Sequence, residues 1–204
     1  MIIGISGKAG SGKDTTAHIF QYLDCCKKYE YELNGMSFEN WCLYSYRDDL
    51  WTVKKFATAV KQVASLLTGI PARDFEWAPV KEMSLGEQWN NMTVRDLLQK
   101  IGTDAIRDNV HENAWVNALM SQYKEGDNWL ITDVRFPNEA NAIEERGGIL
   151  VRLNRKSDVV INVNHPSETA LDDYDKFDFI IENNGTIDEL IGSVREMMNL
   201  LNIR

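Results

Sequence analysis

Cysteine is scarce in this 204-residue chain: there are three, with Cys25 and Cys26 adjacent and Cys42 remote from them. That arrangement fits neither a disulfide framework nor a zinc-ligand spacing, so all three are read as reduced thiols. Proline is nearly as rare, at four, and no stretch is biased enough to serve as a linker or repeat, which excludes fibrous and disordered classes. Long apolar runs are missing, since nothing approaches the roughly 20 residues that cross a bilayer as a helix. Met1-Ile2-Ile3-Gly4-Ile5 carries no basic leader, which points to a cytoplasmic protein. Positive charge is in deficit, 22 Lys and Arg against 31 Asp and Glu, for a formal net charge of −9. A grip on duplex nucleic acid needs the opposite balance, whereas a small anion can still be held in a local basic pocket. What is there is ordinary for a globular protein, 44% hydrophobic and 26% charged. The length is that of one domain carrying an insertion, able to bury roughly 70% of the unfolded surface.

Hydrophobic patterning predicts strands alternating with helices, hence an α/β fold with a mostly parallel sheet covered on both faces. Strands are expected at Met1–Ser6, Trp129–Thr132, Ile149–Leu153 and Phe177–Ile181. A helix follows the first strand from Lys13 to about Leu23, and residues 27–50 read as irregular. Apolar residues recur at helical spacing from Val53 through Leu67 until Gly69 and Pro71 stop them. Thr93 with Asp96, and Thr186 with Glu189, have the spacing of capping boxes that start helices. The Thr93 helix is expected to end or bend near Gly102. Another helix carries Trp115, and Pro137-Asn138 open one that stops at Gly147-Gly148.

The sharpest motif is Gly7-Lys8-Ala9-Gly10-Ser11-Gly12-Lys13, which matches G-x-x-x-x-G-K and lies between a predicted strand and a predicted helix. Glycines let backbone N–H groups turn inward around a phosphate, the helix N-terminus adds partial positive charge, and Lys13 can reach the outer phosphates. Asp14 stands where such loops usually carry Ser or Thr, which moves the hydroxyl candidate for a magnesium shell to Thr15 and weakens a generic ATPase or GTPase reading. Asp133 ends an apolar strand, a position from which a carboxylate can hold Mg²⁺ or its waters, and Arg135 and Glu139 stand close by. Arg95, Gln99 and Gly102 share one helical spacing that Thr103 and Arg107 continue, a pattern that by itself is equally that of an amphipathic helix with solvated arginines.

Together these segments resemble the bacteriophage deoxynucleoside monophosphate kinases. The resemblance runs through Gly7–Thr15, Phe56-Ala57 with Lys61, Arg95 to Gln99, Gly102-Thr103-Asp104 to Arg107, Trp115, Asp133–Glu139, Gly147-Gly148, Arg152, Arg155, His165–Glu168 and Asn183–Thr186. It implies a three-layer P-loop nucleoside monophosphate kinase fold. The core would span about 1–24 and 127–204, with an acceptor-binding helical insertion at about 40–125 and a short lid at about 156–174. It implies ATP on Gly10, Ser11, Gly12, Lys13, Asp14 and Thr15, with Arg152, Asn183 and Gly185 on the nucleotide side. The monophosphate would meet Lys8, Lys61, Arg95, Gln99, Gly102, Thr103, Arg107, Trp115, Asp133, Arg135 and Glu139. Catalysis would fall to Lys13, Asp133, Arg135 and Arg155, with Mg²⁺ held at Thr15 and Asp133. His165 reads as a loop histidine first and a lid residue second, and the aromatic residues between Tyr44 and Trp51 as exposed. A homodimer stays open, and duplex nucleic acid and membrane are not expected partners. The alternatives are a kinase for another phosphate monoester such as phosphomevalonate, a P-loop ATPase or GTPase switch, and a non-catalytic nucleotide-binding module.

Overall fold

The computed structural model describes residues 1–29, 35–44, 50–156 and 166–203. They form two compact units, Met1–Lys54 together with Glu125–Arg204, and Lys55–Lys124. The chain opens with β1 (Ile2–Ser6), α1 (Lys13–Lys28), α2 (Phe38–Tyr44) and β2 (Thr52–Lys54). The second unit holds α3 (Ala57–Thr68), α4 (Ala78–Lys81), α5 (Val94–Gln99) and α6 (Ala114–Met120). The chain then returns to the first unit with β3 (Trp129–Val134), α7 (Pro137–Glu144), β4 (Ile149–Asn154), α8 (Pro166–Thr169), β5 (Phe179–Glu182) and α9 (Ile187–Leu200). Among the described residues no helix is long and apolar enough to cross a membrane.

The five strands make one all-parallel sheet in the order β2-β3-β1-β4-β5. β1 is central, and the strand order turns there: β2 and β3 lie to one side of it, β4 and β5 to the other. In such sheets ligands bind beyond the carboxyl ends of the strands at the turning point, which is where the loop 7–12 leaves β1. Alternation along β1 sends Ile3 and Ile5 into a core with Ala17, Ile19 and Phe20 of α1 and Leu190, Val194 and Met197 of α9. Gly4 faces the other way, under Ile143 of α7. Each fully buried Ile, Leu or Phe in this core contributes roughly 1.5–3 kcal/mol. The expected α/β architecture with helices on both faces is the one found.

Several expectations are corrected by tertiary packing. The sheet has a fifth strand, β2, because Val53 lies in an extended segment paired with Leu130 rather than opening a helix, and α3 starts only at Ala57. Residues 27–50 are not irregular throughout: α1 continues to Lys28, and α2 buries Phe38 and Trp41 against Tyr22. Seven residues are too few for a helical period to show. Trp51 is buried against Phe20 at 4.8 Å, not exposed. Residues 45–49, and 157–165 with His165, lie outside the described residues.

In the second unit, α3, α5 and α6 enclose Val60, Ala64, Phe75, Leu97, Ile101 and Trp115. α5 starts at the expected capping box: the Asp96 N–H donates to Thr93 Oγ1 at 3.1 Å and the Thr93 N–H to Asp96 Oδ2 at 3.1 Å. It then widens into a π-helical turn over Lys100–Ala105. Because π turns hydrogen-bond five residues apart, residues beyond Lys100 no longer follow the face marked by Arg95 and Gln99. The Thr93 hydroxyl and backbone hold the Asp96 carboxyl below its usual range. A carboxyl lowered in this way stabilises the fold above its unfolded pKa, and that contribution is lost as pH falls through the folded one. Thr93→Ala is therefore expected to cost about 1 kcal/mol near neutrality. Urea unfolding followed by circular dichroism should show the gap between parent and variant closing below about pH 4.

Candidate functional site

The loop Gly7–Gly12 is shaped around a single side chain. Lys13, the first residue of α1, turns back so that its ammonium donates to the carbonyls of Gly7 at 2.6 Å and Lys8 at 2.8 Å. The fold-back needs glycine at two points. Gly12 caps α1 in the left-handed region at φ 99°, where a β-carbon would also lie 2.7 Å from Asn183 Nδ2. A β-carbon on Gly7 would lie 2.5 Å from both the Leu153 carbonyl and Ser11 Oγ. Buried Asn183, just past β5, donates its amide to the Ser11 carbonyl at 2.8 Å and braces the loop from beneath. The loop leads into the N-terminus of a 16-residue helix, whose first N–H groups and partial positive charge favour an anion.

Burial lowers the Lys13 ammonium to a pKa of about 8; Arg135 pushes the same way, while Glu168, Asp14 and Asp133 oppose it. Lys13 therefore feels four other charges, one like and three opposite. Arg135 is fixed there through Glu139, whose carboxylate accepts the N–H groups of Arg135 at 2.8 Å and Phe136 at 3.1 Å. At 3% exposure Glu139 is the cap of α7 and the holder of the Arg135 backbone. The Arg135 guanidinium donates to Glu168 and to the Ser167 carbonyl at 3.2 Å. Lys8 pairs with Asp172 at 3.0 Å. Arg152 reaches Asp172 at 3.2 Å and Ser6 Oγ at 3.1 Å and lies over the Phe177 ring.

Asp14 accepts a hydrogen bond from Thr132 Oγ1 at 2.6 Å, so the α1 side chain tied to β3 beside Asp133 is Asp14, not Thr15. Among the described residues no group of three or more His, Cys, Asp or Glu could cage a metal. Two neighbouring carboxylates fit Mg²⁺ all the same, because that ion usually takes one or two carboxylates and completes its shell with phosphates and water.

The second unit has its own charged cluster. Lys61, 8% exposed, pairs with Glu76, which also takes Lys55 at 3.3 Å. Burial pushes the Glu76 carboxyl up, but Lys61 and Lys55 outweigh it and hold the group below its usual range. Burial first, then Lys61, lowers the Lys81 ammonium. Arg95 Nε donates to Glu82 at 2.8 Å. Arg107 donates to the Glu112 carbonyl at 3.2 Å. Trp115 is core: 7% exposed, it donates Nε1–H to the Gly102 carbonyl at 2.7 Å.

The structure thus gathers Lys8, Lys13, Asp14, Asp133, Arg135 and Arg152 in one unit and Lys61 with Arg95 in the other, while Gln99 and Thr103 fall on either side of the change from α to π. Arg155 is exposed one residue beyond β4, and Gly185 precedes the Thr186 cap of α9. Sequence reasoning overlooked Thr132, Asp172, Lys55, Glu76, Lys81 and Glu82, and it gave Glu168, though part of the resemblance, no role. A search for phosphate ligands looks for cations and glycines, and it passes over the carboxylates that neutralise them.

Comparison with known proteins agrees with this geometry. A protein of Acanthamoeba polyphaga mimivirus, provisionally named a deoxynucleotide monophosphate kinase, is 27% identical over 95% of this chain and 94% of its own length. The deoxynucleoside-5′-monophosphate kinase of Escherichia phage T5 is 25% identical over 84% of this chain and 85% of its own. The deoxynucleotide monophosphate kinase of Enterobacteria phage T4 is 27% identical over 58% of this chain and 49% of its own. The family model described as deoxynucleotide monophosphate kinase matches residues 39–194, about three quarters of the sequence, and with that the chain belongs to the deoxynucleotide monophosphate kinase family.

Proposed function

We propose that this enzyme transfers the γ-phosphoryl group of ATP to the phosphate of a deoxynucleoside 5′-monophosphate, giving the diphosphate and ADP. The observation that carries the reading is the Lys13 loop, which offers the Lys13 ammonium, the Ala9 N–H, a helix N-terminus and flanking Arg135 and Arg152 to a chain of phosphates. The acceptor needs no side-chain base, because a phosphate monoester with a second pKa near 6 is largely dianionic at neutral pH. The chain's work is then to place two anions that repel each other and to neutralise charge that spreads over the phosphoryl oxygens.

Roles follow from placement. Gly10, Ser11, Gly12 and Lys13 take the donor phosphates, with Arg152 beside them, and Asn183 and Gly185 border the nucleotide. Asp14 and Asp133 would hold Mg²⁺, which when bound neutralises donor phosphate oxygens. Arg135 and Arg155 are assigned to the reacting phosphoryl group. The Lys55–Lys124 unit is the acceptor-binding insertion, where Lys61, Arg95 and Arg107 take the monophosphate; in its absence Glu76 holds Lys61 and Glu82 holds Arg95. We place the enzyme in the cytoplasm.

A panel of deoxynucleoside and ribonucleoside monophosphates with ATP, read by coupled ADP production, tests the activity. Turnover is expected with at least one deoxynucleoside monophosphate; ADP release at the same rate without any acceptor would overturn the kinase reading. Lys13→Ala should lower kcat by about 10²–10³-fold, the scale of losing one preorganised charge donor. Anionic phosphates need Lys13 protonated, so ATP affinity should be full below pH 8 and fall by up to about tenfold per pH unit above it. Calorimetry should show a flat profile in the Lys13→Met variant. Lys61→Ala should raise the acceptor KM by about ten- to a hundredfold, through loss of a charge-assisted hydrogen bond, and leave the ATP KM unchanged.

A further inference from the structure

Four of the donors that a phosphate chain would use at the Lys13 loop, the Ala9 N–H, Lys8, Arg135 and Arg152, are already engaged by one short stretch of chain. Glu168 of α8 accepts the Ala9 N–H of the loop at 3.1 Å through one carboxylate oxygen and the Arg135 guanidinium through the other. Four residues on, Asp172 accepts from Lys8 at 3.0 Å and from Arg152 at 3.2 Å. The Ser167 carbonyl takes a further Arg135 N–H at 3.2 Å. A carboxylate and a phosphate oxygen are the same kind of ligand, an anionic acceptor that seeks backbone N–H groups, ammonium and guanidinium. The two cannot share these donors without placing like charges in contact.

We propose that residues 166–173 are an internal anionic plug on the phosphate loop: Glu168 and Asp172 stand where nucleotide phosphate oxygens bind, and ATP enters by displacing them. The proposal rests on the reading of the loop as the ATP phosphate site. The way the segment is held fits a displaceable element. α8 buries no residue, so its place on the loop depends on the polar contacts of Glu168 and Ser167. Leu171 is buried between the two acidic side chains and gives the segment a fixed point about which they can withdraw. The Glu168 side chain is only 10% exposed, so its charge is tolerated there because Arg135 and the Ala9 N–H answer it. The same carboxylate also supports the charge of Lys13 in the empty loop.

An occupied loop has a thermodynamic consequence. The apparent dissociation constant of an entering phosphate chain is the intrinsic one divided by the fraction of molecules in which the plug is withdrawn. Removing the plug's charge should therefore tighten binding, whereas removing an ordinary binding residue weakens it.

The test is calorimetric titration of ATP, and of inorganic tripolyphosphate, which has no base or sugar, into the full-length wild type, Glu168→Gln and Asp172→Asn. Glu168→Gln keeps the shape and loses the charge, and is expected to bind both ligands at least about tenfold more tightly. Asp172→Asn, whose side chain is partly exposed, should bind them about threefold more tightly. Wild-type binding with equal or weaker binding in Glu168→Gln would overturn the plug and leave the loop's assignment intact. No binding of either ligand by any of the three proteins would overturn both. Thermal unfolding checks that each variant is folded; if Glu168→Gln is not, Asp172→Asn decides, with tighter binding supporting the plug and unchanged or weaker binding overturning it.

Discussion

One ammonium folded into its own backbone organises the carboxyl edge of the sheet. Lys13 reaches back to the Gly7 and Lys8 carbonyls, and the loop can close around it because Gly12 supplies a left-handed cap and no side chain at Gly7 obstructs Leu153. One loop N–H, that of Ala9, meets an anionic oxygen, on Glu168. Asn183 secures the far side of the loop, which couples the end of β5 to the end of β1 through one buried amide. A lysine so placed is hard to keep charged, and the carboxylates of Glu168, Asp14 and Asp133 are what keep it so in the empty loop.

A net charge of −9 works against the proposed polyanion site, and the distribution of the acids reconciles the two. Cations drawn close together repel one another and lose hydration, so each needs an answering charge while no phosphate is bound. Glu168 and Asp172 answer Arg135, Lys8 and Arg152 in one unit; Glu76 and Glu82 answer Lys61, Lys55 and Arg95 in the other. The surplus acid is part of the site's construction. It sets the competition that an incoming nucleotide has to win.

Much of the fold could be read along the chain, because its strongest signals are local. Strand alternation in β1, the apolar run of β3 and the capping boxes at Thr93 and Thr186 depend on residues a few positions apart, and each is where the sequence put it. What was misread is short or depends on partners far away. β2 is three residues that become a strand only by pairing with β3, and α2 is a helix only because Phe38 and Trp41 find Tyr22. The π turn after α5 shifts every residue beyond Lys100 off the face that a regular helix would give it.

The amino-acid sequence by itself determined that a glycine-rich loop joins the first strand to a helix headed by Lys13, and that Asp133 and Arg135 close a second core strand. Bond geometry and side-chain period act within a few residues, and they suffice for that. Only the tertiary structure decided what each polar group is bonded to. It made Glu139 a cap and Trp115 a core residue, turned Asp14 toward Thr132, and set Glu168 on the phosphate loop 159 residues away along the chain. Partners at that separation meet because strands β1, β3 and β4 pair side by side, and no local pattern records which acid will face which base.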